Sequence, residues 1–170
     1  MTSQNASNSE LYVLSVHPTS RGFGWVVFSG PTSTVDWGAA SARGKRSGRL
    51  MEKFEEIATR WQPDILVLEK FDERGGRSTR LRTLTRAMAD LASFKGMDIA
   101  LYRRDDIRAV FASDRAYSRH EIAGAIAKQF NELSPRLPRK RPCGSAEQHQ
   151  QGLFDAVALA LTYFAKAEQS

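Results

Sequence analysis

The order of short apolar runs and long amphipathic ones constrains this chain more than any single motif. Residues 11–16 (Leu-Tyr-Val-Leu-Ser-Val) and 23–28 (Phe-Gly-Trp-Val-Val-Phe) are short, apolar and rich in β-branched or aromatic side chains, and 32–37 form a third short run. Compact turn sequences join them: His17-Pro18 followed by a polar turn over 19–22, then Ser29-Gly30-Pro31. Such spacing predicts three antiparallel strands in a meander. Thereafter the period changes. Leu50, Met51, Phe54, Ile57, Ala58 and Trp61 recur at three- and four-residue intervals, as on one face of a helix, until Gln62-Pro63-Asp64 interrupts them. Ile65-Leu66-Val67-Leu68 is a short continuous apolar run ending on Glu69, the pattern of a strand buried on both faces.

A second helix is predicted through Leu81, Leu84, Met88, Leu91 and Phe94, ended by Gly96, and a fifth strand over 97–102. Helices are predicted over 105–111 and 118–133, the latter opened by a capping box of Ser118 and Glu121. A Pro- and Arg-rich loop over 134–146 leads to a last helix carrying Leu153, Phe154, Val157, Ala158, Leu161 and Phe164. Strands first, then strands alternating with helices, make an α/β fold: a mixed five-stranded sheet, three antiparallel strands followed by parallel ones, with helices on both faces. A length of 170 residues fits one such domain, expected over 11–168, behind a polar, disordered tail over 1–10. One cysteine, Cys143, excludes an intramolecular disulfide and a cysteine-built zinc site. With neither a signal peptide nor a membrane-length apolar run, the expected setting is the cytoplasm.

Polar residues interrupt the apolar pattern at three points. His17 ends the first strand, Glu69 ends the fourth, and Asp155 lies on the otherwise apolar start of the last helix. In a mixed sheet these can converge at the carboxyl edge. Gathered carboxylates repel unless cations bridge them, and bridged carboxylates suit two-metal phosphodiester hydrolysis. Each residue also has a plainer reading: Glu69 as a solvated strand end, Asp155 as a partner of the helix dipole, His17 as a turn residue.

Taken together, three motifs resemble the RuvC-type resolvases of the RNase H-like superfamily. They are Val13-Leu14-Ser15-Val16-His17-Pro18 with its following Gly-containing strand, Pro63-Asp64-Ile65-Leu66-Val67-Leu68-Glu69, and Phe154-Asp155-Ala156-Val157-Ala158. The stretch 103–130 resembles that family's paired helices, so the resemblance spans roughly residues 11–166. It implies an RNase H-like fold, binding of branched or duplex DNA, Mg²⁺ or Mn²⁺ as cofactor, and a homodimer. It also implies catalytic and metal-binding roles for His17, Glu69 and Asp155. Two positions depart from the family pattern: His17 stands where an Asp is expected, and Gly152 stands one helical turn before Asp155 where an acidic residue or His is expected. Imidazole suits Mn²⁺ better than Mg²⁺. Asp36, Asp72, Glu147 and His149 are the nearby residues that could substitute. Replacing His17 and Gly152 by Asp would be expected to rebuild the four-carboxylate set.

The net charge is +6, and its distribution matters more than its sum. Arg74, Arg77, Arg80, Arg82 and Arg86 follow Glu69; Arg136, Arg139, Lys140 and Arg141 precede Asp155; Arg43, Lys45, Arg46 and Arg49 form a third cluster. Any one cluster reads as a solvated face. Two clusters flanking the candidate site point to phosphate binding, with Arg74, Arg77, Arg80, Arg82, Arg139, Lys140 and Arg141 as the candidate contacts. Two functions follow: a metal-dependent endonuclease on branched DNA, or a resolvase-type DNA-binding module that has lost the chemistry. A nucleotide-binding ATPase on the same kind of sheet is less favoured, since no Gly-rich phosphate loop is visible.

Overall fold

The computed structural model describes residues 10–42, 47–72, 78–139 and 150–170. Five strands form one sheet in the order β3-β2-β1-β4-β5: β1 (Val13–Pro18), β2 (Gly22–Gly30), β3 (Ser33–Ser41), β4 (Ile65–Glu69) and β5 (Asp98–Tyr102). β1 pairs antiparallel with β2, which pairs antiparallel with β3; β1 and β4, and β4 and β5, are parallel. This is the mixed sheet that the run order predicts. β1 extends two residues further than its apolar run, through His17 and Pro18, which pair with Gly24 and Phe23. It also starts later, at Val13, because Leu11 is exposed.

Alternation along β1 and β4 divides the interior. Val13, Ile65 and Val67, with Val26 and Phe28 of β2, face α3 (Arg104–Phe111), α4 (Arg119–Gln129) and α5 (Gln151–Glu168). Leu14, Val16, Leu66 and Leu68, with Phe23, Trp25 and Val27, face α1 (Ser47–Trp61) and α2 (Thr79–Phe94). β1 and β4 are therefore buried along their whole lengths, which is why their sequences read as continuous apolar runs. The predicted helix over 118–133 is shorter than its apolar pattern. α4 stops at Gln129, Phe130 leaves helical geometry at φ −119°, ψ 89°, and a 3-10 turn over Asn131–Arg136 containing Pro135 follows. Among the described residues, no helix is long and apolar enough to cross a membrane.

β1 and β4 lie side by side and parallel in the sheet and end together at its carboxyl edge. α5 crosses the sheet there at unusually close range. A Cβ on Gly24 would lie 2.0 Å from the carbonyl carbon of Gly152, so helix and strand backbones touch with no side chain between them. That contact lowers the first turns of α5 onto the sheet and carries Asp155 toward the end of β1.

Candidate functional site

His17 and Glu69 occupy corresponding positions at the ends of adjacent parallel strands, on the face that packs against α5. Their side chains meet: His17 Nε2 lies 2.7 Å from Glu69 Oε2. On the other side of the imidazole, Nδ1 is 3.7 Å from Asp155 Oδ2. The three residues expected to converge thus form one cluster, and all are buried, with exposures of 1%, 4% and 3%. The plainer readings do not describe them. Glu69 is not solvated, His17 is in a strand rather than a turn, and Asp155 lies in the second turn of a helix whose N-cap is Gln150.

Two arginines that sequence reasoning did not single out complete the cluster. Arg119, the first residue of α4, grips Asp155 with one edge of its guanidinium: Nε reaches Oδ1 at 3.4 Å, and Nη2 bonds Oδ2. Arg104, the first residue of α3, places Nη1 3.7 Å from Oδ1. Gln151 Nε2 donates to the same oxygen at 3.2 Å. Burial pushes the Asp155 carboxyl up, but His17, Arg119 and Arg104 more than offset it and hold the group below its ordinary range. Burial also lowers Arg104 from the usual guanidinium value, against the attraction of Asp155 and, more weakly, of Glu69. Arg119 is positioned by a capping box: Ser118 Oγ accepts the Glu121 N–H at 3.1 Å, and Glu121 Oε2 accepts that of Ser118 at 2.9 Å.

These residues do not fit a two-metal centre. Cations there would need the carboxylate oxygens, yet both oxygens of Asp155 are engaged by guanidinium or amide donors, and Glu69 Oε2 by the imidazole. Among the described residues, no group of three or more His, Cys, Asp or Glu is arranged to hold a metal ion. His17 Nδ1 is the one ring atom left without a hydrogen bond there, and one imidazole nitrogen is a poor basis for Mg²⁺. Glu69 and Asp155 contribute −2 and Arg104 and Arg119 +2, apart from His17 between the carboxylates.

The expected rebuilding of an acidic set through Gly152 is corrected by the packing. A Cβ at Gly152 would lie 2.5 Å from Thr19 Cγ2 and 3.1 Å from Gly24 N, so the position faces the sheet and has no room for a carboxylate. The proposed substitutes fare no better. Asp36 accepts from Trp61 Nε1 at 2.8 Å and from the Trp37 N–H, on the outer strand β3, and Asp72 is exposed. Glu147 and His149 lie outside the described residues. So do Arg74, Arg77, Lys140 and Arg141, along with Arg43, Lys45 and Arg46. Arg80 is exposed in the first turn of α2. Arg82 is half-buried and donates to the Asp72 carbonyl at 3.0 Å. Arg139 is exposed beyond the 3-10 turn.

The carboxyl edge of the sheet carries charges of both signs, with Asp72, Asp105 and Asp106 among its cations. Arg21 precedes β2, Lys70 follows β4, Arg103 and Arg104 follow β5, and Arg119 joins them through Asp155; Arg21, Lys70 and Arg103 are exposed. At the opposite edge, Asp64 and Asp98 stand at the amino ends of β4 and β5 in an open groove shared with Gln62 and Lys95.

No protein-family model matches the chain, and no curated protein matches it. Solved structures do. The structure of T. thermophilus RuvC in complex with a Holliday junction substrate is similar with a TM-score of 0.69, over 94% of this chain and 96% of that one, at 18% identity. The Thermus thermophilus RuvC structure gives 0.68 with the same coverage and identity. The Fowlpox virus resolvase, in complex with its substrate Holliday junction DNA, gives 0.50 at 12% identity, over 92% and 99% of the two chains. Strand order, strand direction and helix placement together give this chain the RNase H-like fold of the RuvC resolvases.

Proposed function

We propose that this chain is a nucleic-acid-binding protein of resolvase architecture, which holds branched or duplex DNA at the carboxyl edge of its sheet rather than cutting it. The observation that carries this reading is the pair of guanidinium groups, Arg104 and Arg119, held by the buried Asp155 at the carboxyl edge of the sheet. Arg21, Lys70, Arg80 and Arg103 lie at the same edge, among Asp72, Asp105 and Asp106. Guanidinium forks match phosphate oxygens, and phosphate contacts dominate affinity for DNA. Similarity to two resolvases whose structures contain Holliday junction DNA supports the same class of ligand. Arg74, Arg77, Arg82, Arg139, Lys140 and Arg141 are proposed as further phosphate contacts. Binding is favoured over cleavage because both oxygens of Asp155, and Glu69 Oε2, are already engaged by protein groups.

The test is fluorescence anisotropy with a four-way junction and a duplex of equal length, across a salt series, beside a cleavage assay in Mg²⁺ and Mn²⁺. Log K should fall linearly with log salt, by about 0.9 for each phosphate neutralised. Replacing Arg80 and Arg103 by Ala should lower that slope by about one each. Affinity that ignores salt would overturn the binding reading, and metal-dependent cleavage lost in E69Q would restore the endonuclease.

A further inference from the structure

Between α3 and α4 the chain passes through a short segment that is pinned on both sides of Tyr117. Arg115 takes left-handed backbone geometry (φ 54°) after the 3-10 turn Ala112–Asp114, and its N–H donates to the Ala112 carbonyl at 3.0 Å. Ala116 is buried in the interior shared by α3, α4 and α5, and its N–H donates to the Phe111 carbonyl at 3.2 Å. Ser118 is the N-cap of α4. Tyr117 stands between these two anchors, and its own N–H donates to Glu121 Oε2 at 2.9 Å. The root of its ring is therefore fixed, yet the residue is 61% exposed. Among the described residues, the other exposed aromatic side chain is Phe94, at 89%, which ends α2 on the amino side of the sheet. Tyr117 instead lies two residues before Arg119, whose guanidinium holds Asp155 beside His17 at the end of β1.

A flat ring on fixed backbone, close to cationic side chains, is a surface on which a nucleobase can stack. In continuous duplex both faces of every base are covered by neighbours, and exposing one costs unstacking; an unpaired base offers its face at far lower cost. Resting on the DNA-binding reading above, we propose that Tyr117 is a stacking platform for an unpaired nucleobase, and that this residue sets a preference for nucleic acid with unpaired bases over continuous duplex. The contact tolerates any base, since each has a π face, and it neutralises no phosphate. Glu121 and Ser118 act as positioning residues by holding the backbone from which the ring projects.

The experiment measures anisotropy on a continuous duplex, on the same duplex with a short bulge of unpaired bases, and on that bulge made abasic. The two bulged DNAs carry the same phosphates and differ in the base faces they offer. Native protein should prefer the base-bearing bulge to the abasic one by about tenfold. Y117A should lose that preference, with affinity for the duplex and the abasic bulge unchanged and the salt slope the same on every DNA. Y117F should behave as native, because the ring and not the hydroxyl makes the contact. F94A removes the exposed ring on the amino side and should change none of the affinities. Should Y117A fail to fold, Y117L, which keeps apolar bulk without a π face, carries the same comparison. The proposal is overturned, and the DNA-binding reading left intact, by native protein that does not distinguish the two bulges or by a Y117A protein that still does. An equal loss in Y117A on all the DNAs, or a loss in Y117F or F94A as large as in Y117A, has the same consequence. No binding to any of these DNAs at low salt overturns both.

Discussion

Gly152→Ala isolates the contact that seats α5 on the sheet. The added methyl would lie 2.5 Å from Thr19 Cγ2 and 3.1 Å from Gly24 N, whereas carbon atoms prefer separations of about 3.5–4.0 Å. Thr19 is buried, and its Oγ1 accepts the Gly22 N–H at 3.1 Å, so swinging its methyl away sacrifices that bond. The alternative is to lift α5 from β2 and open the backbone contact. Overpacking of this kind costs about 1–3 kcal/mol, against up to ~1 kcal/mol gained when Ala replaces Gly in a helix. The expected net is a loss of about 1–2 kcal/mol, or roughly 2–8 °C in Tm for a chain of this size. Thr19→Ser removes Cγ2 and keeps the hydroxyl bond, so G152A should cost markedly less in a T19S background. Urea unfolding of native, T19S, G152A and the double variant gives a coupling energy, expected to exceed the ~0.5 kcal/mol within which independent sites add. A G152A protein at least as stable as native, or one whose cost is the same in both backgrounds, would refute the packing argument.

Two further outcomes follow from the cluster. Ser118→Ala should destabilise by about 1 kcal/mol and, by fraying the turn that carries Arg119, reduce junction affinity in EDTA; thermal melts and anisotropy check the two effects together. The Asp155 carboxyl is held below its unfolded-state value of about 3.9, so its stabilisation is complete above that pH and is lost as pH falls through the folded-state value. Asp155→Asn leaves two partly exposed guanidinium groups without their carboxylate and should cost about 1–3 kcal/mol near neutrality. The gap to native protein should then narrow below about pH 4 in urea titrations, and a gap that stays constant with pH would contradict the sign of the shift.

Much of the fold was legible because burial on both faces writes itself plainly into a strand. Ile65 to Leu68 could hardly be anything else, and the Ser118 and Glu121 pair marks the start of α4 where the structure has it. His17, Glu69 and Asp155 were legible as polar breaks in apolar runs, since a buried titratable residue stands out against its neighbours. Arg104 and Arg119 were not. They lie in a stretch where Arg, Asp and Ser alternate freely, and the contact between Arg119 and Asp155 joins residues 36 positions apart. The nearest signal was a basic residue directly after an N-cap, which fixes the root of the side chain but not its target. Gly152 was misread for a related reason. Beside the acidic pattern it resembles a missing ligand, whereas its meaning comes from Gly24, more than a hundred residues away on the strand beneath.

The sheet that separates the two apolar interiors also separates two degrees of freedom. Side chains of α1 and α2 meet one face and those of α3, α4 and α5 the other, with only the shared strand backbone in common. Cooperative units of opening follow packing of this kind. The helices bearing Arg104, Arg119 and Asp155 therefore belong to one packing unit and α1 and α2 to another, joined through the strands. A substitution in one interior should reach the other through the ladder, which hydrogen exchange can read helix by helix.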